Sequence, residues 1–340
     1  MMGAIGSFQL PAEASSKSLS PATLCMISGN GRSGSNRLLD ILDLSEITAC
    51  RNEPDEINGG RLSGFGFQLF NDQLQKPDIV ELHRELIAAG YIRSDRDRFN
   101  RSEKQFLTPI GKSLLPVMAR RKLRTLAHTT GLMRNPLEWK LPQVAINDNP
   151  ILPIVKLNAR PIWAEQVAKF DPGLRVVHNI RQPWKYLNSW YNRFIANQDT
   201  LAASFTEHFA DVPLLLEYYG RNDSARLREG NLENIVEVEL WRWRYVNERL
   251  MKFDTENARY LRVTYEDIDA NPVSAAHQVY EFLDLDLSPK VEEDIANLKN
   301  TLFAKPHKNK LDTILVSKLM TSVLAESPLD QAFKGGLVMP

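Results

Sequence analysis

Several apolar runs along this chain are continuous rather than alternating. Leu24-Cys25-Met26-Ile27, Ile151-Leu152-Pro153-Ile154-Val155-Lys156-Leu157, Arg175-Val176-Val177-His178-Asn179-Ile180 and Tyr260-Leu261-Arg262-Val263-Thr264-Tyr265 each read as a strand covered on both faces. Between them, apolar positions recur at helical spacing. Arg37 to Leu42 predicts a helix, and so does Pro183 to Trp190, with proline in a first turn where its missing N–H costs nothing. Val236 to Phe253 predicts a long amphipathic helix, and a further helix follows the last strand through Phe282. Residues 76–135 read as helical, and Glu81 to Ile92 within them is amphipathic with a glycine stop signal. Cys50 to Glu56 reads as a polar turn. Strands alternating with helices predict an α/β fold, a P-loop-like three-layer arrangement with a central, mostly parallel sheet and a helical insertion.

Residues 1–21 are rich in Ser, Ala and Pro without periodicity and read as a flexible lead-in. Residues 22–320 are expected to form one domain, with an insertion at roughly 60–150, and 321–340 to form a tail.

Composition narrows the chemistry. The 340 residues are 43% hydrophobic and 25% charged, as in ordinary soluble globular proteins. Lys and Arg number 42 against 42 Asp and Glu, so no global field recruits nucleic acid or an anionic membrane. Any anion site must be local. Two cysteines make neither a disulfide framework nor a metal cluster, and no metal is expected. No stretch approaches a membrane span and no leader pattern opens the chain, so a cytoplasmic location is expected.

The local site is signalled by Gly29-Asn30-Gly31-Arg32-Ser33-Gly34-Ser35-Asn36, set between the first strand and the first helix. Such a turn aims backbone N–H groups and a helix N-terminus at one anion. Its spacing is that of a P-loop, yet Ser35 and Asn36 stand where an NTPase has Lys and then Ser or Thr. Phosphoryl transfer is therefore disfavoured. Arg181 comes off the end of a predicted strand, and Ser189 lies two helical turns on. An arginine fork and a hydroxyl there suit a second phosphate.

At these residues the chain resembles the sulfotransferase family, which uses 3′-phosphoadenosine 5′-phosphosulfate (PAPS). Gly31-Arg32-Ser33-Gly34-Ser35 resembles the family's 5′-phosphosulfate loop in its carbohydrate-type and bacterial form. Val177 to Pro183 with Ser189 is similar to its 3′-phosphate motif, and Leu261 to Ile268, with Asn271-Pro272 and Phe282-Leu283, to its Tyr-Glu-Asp-Leu segment. The resemblance implies that Arg32 is the loop cation beside the leaving phosphate. It gives Gly31, Arg32, Ser33, Gly34, Ser35 and Asn36 to the 5′-phosphate, and Arg181 and Ser189 to the 3′-phosphate. Asn36 stands where the family has Ser or Thr, and Arg37 where it has a bulkier apolar residue.

Sulfuryl transfer needs in-line attack, stabilisation of the leaving phosphate and removal of the acceptor proton. Lys156 resembles the family lysine that neutralises the transferring sulfonate. Cytosolic relatives place a catalytic His two residues later, where this chain has Asn158, which accepts no proton. Glu53 is the expected base, since carbohydrate-type relatives use a carboxylate after the phosphate-loop helix; Glu56 is the runner-up. The implied reaction moves a sulfuryl group from PAPS to a hydroxyl of a carbohydrate, other small molecule or lipid. The alternatives are a nucleotide-binding or regulatory protein that lost catalysis, a P-loop kinase, and a winged-helix-like insertion at 78–118 with Arg120 to Arg124 for nucleic acid. His178, Trp241 and Trp243 are read as core residues. Tyr265 and Glu266 are read as bracing the fold, and His307 to Lys310 as a surface turn.

Overall fold

The computed structural model describes residues 22–54, 62, 76–90, 92–94, 104–118, 130, 138–140, 143–158, 160–195, 211–228, 231–254, 259–302, 311–333 and 336–338. Strand β1 is Leu24–Gly29, followed by α1 (Ser35–Leu42) and β2 (Thr48–Asn52). Next come α2 (Lys76–Gly90), β3 (Ile92–Ser94), α3 (Pro109–Met118) and β4 (Glu138–Lys140). The chain then alternates β5 (Leu152–Asn158), α4 (Pro161–Ala168), β6 (Leu174–Ile180) and α5 (Pro183–Phe194). Short helices α6 (Val212–Tyr218) and α7 (Ser224–Leu227) lead into the long α8 (Leu232–Asp254). Strand β7 (Tyr260–Thr264) is followed by α9 (Tyr265–Ala270), α10 (Pro272–Phe282), α11 (Pro289–Leu302) and α12 (Thr313–Val323).

The main sheet has five strands in the order β2-β5-β1-β6-β7, every neighbouring pair parallel. The α/β expectation holds. Each strand feeds a helix that must return across a sheet face, so both faces are covered. Along β1, Leu24 and Met26 join a core with residues of α4, α5, α8 and α12, while Cys25 and Ile27 join one with α1, α10 and α11. That two-sided burial explains why the strands read as unbroken apolar runs.

Three readings are corrected. Cys50-Arg51-Asn52 is the end of edge strand β2, not part of a turn, and Arg51 on it is fully buried. The described residues of 76–135 include, besides the helices α2 and α3, the strand β3, which pairs antiparallel with β4 as Ile92↔Lys140. The helix after β7 is two, because Asn271 caps a new one by accepting from Ser274 N at 3.1 Å, with Pro272 in its first turn. Helix α12 runs through residue 320 to Val323, and Leu329 and Phe333 beyond it are buried, within the stretch expected as a tail. The backbone N–H of Val338 donates to Gln182 Oε1 at 3.0 Å, bringing that stretch to the end of β6.

Buried Lys104 fixes the far end of α1. Its ammonium donates to the carbonyls of Asp43 and Ser45, each at 2.7 Å, and so satisfies groups a helix end leaves open. Among the described residues no helix is long and apolar enough to cross a membrane.

Candidate active site

The strand ends place the predicted loop. Gly29 closes β1 against β6 so tightly that a Cβ there would meet the Asn179 carbonyl oxygen at 2.3 Å. The chain then turns, with Ser33 N donating to the Asn30 carbonyl at 3.2 Å. Arg32 (φ 73°) and Gly34 (φ 87°) are both left-handed, the kind of backbone that curls N–H groups around an anion. At Gly34 a side chain is also excluded by space, since a Cβ would lie 2.1 Å from the Tyr265 ring. Helix α1 starts at Ser35, and Asn36 in its first turn is exposed.

Arg181 and Ser189 reach this loop from β6 and α5. Arg32 Nε donates to Ser189 Oγ at 3.3 Å, and Arg181 Nη1 donates to the Arg32 carbonyl at 3.1 Å. The Arg181 guanidinium lies 4.1 Å from the Tyr265 ring centre, and that of Arg37 lies 4.7 Å from the same centre. Tyr265 is thus the floor under two cations and the wall beside Gly34. Burial, with the charges of Arg32 and Arg37 added, holds the Arg181 guanidinium below the ordinary arginine range, although Tyr265 and Glu266 oppose the shift. Desolvation and then the Arg193 charge do the same to Arg32. Mutually repelling cations in a partly dry site are what an anion would relieve. Ser33 Oγ and Arg181 Nε are buried with no hydrogen-bond partner among the described residues.

On the other side of the loop, β2 and β5 end together. Glu53 continues the ladder with its N–H on the Lys156 carbonyl at 2.9 Å, and its own φ is 48°. The Lys156 ammonium bonds the Glu53 carboxylate; the two side chains are 3% and 18% exposed. Two of the four non-glycine residues with left-handed φ among the described residues, Arg32 and Glu53, therefore stand at this site. Asn158, at the end of β5, has its side chain 3.7 Å from where a Cβ on Gly31 would sit.

Apart from Ser189, which reaches in from α5, the described predicted site residues lie at or next to the C-terminal ends of parallel strands, where open α/β sheets bind ligands. They form two groups, the loop with Arg181 and Ser189, and the Glu53–Lys156 pair. Glu56, the Arg120–Arg124 run and the His307–Lys310 run lie outside the described residues. Arg37 and Arg193 were not foreseen as site cations. Arg193 follows Ser189 by one helical turn, a spacing that could have pointed to it.

His178 is fully buried and hydrogen-bonded on both ring nitrogens, as a core residue should be. Trp241 and Trp243 are 3% and 1% exposed. Burial keeps the Glu266 carboxyl above its ordinary value, while its own backbone hydrogen bond, Lys185, the Gln182 N–H and Arg181 pull it down. Among the described residues no cluster of three or more His, Cys, Asp or Glu could hold a metal ion.

The sulfotransferase domain family matches residues 23–323. No curated protein matches the sequence. Among solved structures, sulfotransferase STF9 from Mycobacterium avium is 13% identical, with 90% of this chain and 77% of that one covered and a TM-score of 0.42. Mouse sulfotransferase SULT7A1 complexed with PAP is 12% identical, with 91% and 85% covered and a TM-score of 0.42. Retinol dehydratase in complex with androsterone and inactive cofactor PAP is 14% identical, with 91% and 83% covered and a TM-score of 0.37. With the family matched across most of its length, the chain belongs to the sulfotransferase family.

Proposed function

We propose that this protein transfers a sulfuryl group from PAPS to a hydroxyl of a carbohydrate, another small molecule or a lipid, by in-line displacement. The observation that carries the reading is the Arg32–Ser189 and Arg181–Arg32 contacts, which join a loop suited to one phosphate to a strand end suited to another. The unpartnered Ser33 Oγ and Arg181 Nε are donors that phosphate oxygens would satisfy.

In this reading PAPS supplies the sulfuryl group and leaves as 3′-phosphoadenosine 5′-phosphate (PAP). Gly31, Ser33, Gly34, Ser35 and Asn36 hold the 5′-phosphate, and Arg32 offsets the charge that grows on it as the sulfur–oxygen bond breaks. Arg181 and Ser189 hold the 3′-phosphate. Lys156 offsets charge on the moving sulfonate, and Glu53 takes the proton from the attacking hydroxyl. The ion pair gives that assignment its condition, since Lys156 must share its donors between Glu53 and the sulfonate. The chain from 60 to 150 we assign to the acceptor, within a domain spanning 22–320.

The test is an acceptor screen with PAPS labelled in the sulfonate. Labelled product with release of PAP is expected. PAP binding without turnover on any hydroxyl would favour the catalytically inactive alternative, and magnesium-dependent ATP hydrolysis would favour a kinase.

A further inference from the structure

A buried polar relay runs from the sheet through α8 to the phosphate loop. His178 Nε2 lies 2.8 Å from Asn247 Oδ1, and an amide oxygen can only accept, so the proton is on Nε2. His178 Nδ1 then accepts from the Tyr260 hydroxyl at 2.5 Å. The Asn247 amide is fixed in one orientation. Its Nδ2 donates to the Trp243 carbonyl at 2.6 Å and to Asn30 Oδ1 at 2.9 Å. Turning the amide over would set oxygen against two oxygens and N–H against N–H, and all the groups involved are buried.

Asn30 is the loop end of the relay. Its side chain shares a hydrogen bond with the Tyr186 hydroxyl, which also donates to Glu239. Its backbone carbonyl accepts from Ser33 N and so closes the turn that presents Arg32 and Ser33. That turn contains left-handed Arg32, a conformation that persists only where its surroundings enforce it.

We infer that Asn247 is a positioning residue for the sulfuryl-donor site. It acts through Asn30 to hold the phosphate loop in binding shape before the donor arrives, with the Trp243 carbonyl and His178 Nε2 setting the direction of its amide. Preorganisation of this kind is expressed in affinity, because the cost of ordering the loop is met in folding. The inference rests on the donor reading for the identity of the ligand, and not for the state of the loop.

The experiment compares Asn247→Ser, Asn30→Ala and the double variant by calorimetric titration with PAP and by amide hydrogen exchange at residues 31–34 without ligand. Each single change should weaken PAP about tenfold, and the double should be no weaker than the worse single, since both cut one chain. Exchange at the loop should accelerate in each. A double loss equal to the product of the singles, or loop exchange unchanged from wild type, would overturn the inference. If the wild type fails to bind PAP, the donor reading is wrong, and the exchange arm still decides the relay. If Asn247→Ser fails to fold, Asn30→Ala with wild-type loop exchange overturns the inference alone.

Discussion

Arg181 donates to the backbone carbonyl of Arg32 at 3.1 Å, across 149 residues of sequence. The cation of one strand end is thereby fastened to the loop that follows another, and the same Arg32 reaches Ser189 with its side chain. A single hydrogen-bonded cluster forms where β1 and β6 end side by side. Its charge is conspicuous in a chain of zero formal net charge. A cluster of cations is thus made by position rather than by composition.

The Glu53–Lys156 pair gives the first prediction. Glu53→Gln removes the carboxylate but keeps the shape, so turnover should fall roughly 10²–10⁴-fold, the usual worth of a general base. PAP affinity should stay near wild type, because Glu53 contacts neither phosphate in this account. Single-turnover release of PAP, read beside a binding titration, separates the two. Near-normal release in the variant would remove Glu53 as the base.

Gly34→Ala should damage both fold and site. The left-handed backbone penalises a side chain by about 1–2 kcal/mol, and the Tyr265 ring stands where the methyl would go, adding a clash of similar size. Urea denaturation should show a loss of about 2–4 kcal/mol, with PAP binding weakened as the loop moves. Unchanged stability would mean that Gly34 and Tyr265 are not packed as described.

His178 links stability to pH. Burial first, with the Arg262 charge added, pushes its pKa from 6.5 to about 4, against the pull of its bond to Asn247. The unfolded chain therefore takes up this proton at higher pH than the folded one. The contribution is complete above about pH 6.5 and is lost as pH falls toward 4. Between pH 7 and pH 5 it amounts to about 2 kcal/mol. Urea midpoints at the two pH values should show a fall in wild type that is smaller in His178→Gln. Equal falls in both proteins would show that His178 is protonated alike in the two states.

Much of this was readable from residue types. Parallel strands covered on both faces carry apolar runs, so β1, β5, β6 and the apolar edge strand β7 stood out, and Arg181 and Ser189 followed from where such sheets hold their ligands. Strand β2 did not stand out because it carries Arg51 and Asn52, 0% and 8% exposed, in place of apolar residues. The Glu53–Lys156 pair depends on β2–β5 register, which no local pattern encodes. The relay was hidden for a similar reason. Asn30, His178 and Asn247 are each unremarkable alone, and only the docking of α8 brings them together.

If two joined motifs hold two phosphates, PAP binds more tightly than adenosine 5′-phosphate. Calorimetric titration of wild type should favour PAP by roughly 10–100-fold, the worth of charge-assisted hydrogen bonds to the 3′-phosphate. Arg181→Ala should erase most of that preference, with a smaller loss for adenosine 5′-phosphate because Arg181 also bonds the loop. Equal affinity for both ligands in wild type, or a preference that survives in Arg181→Ala, would contradict the account.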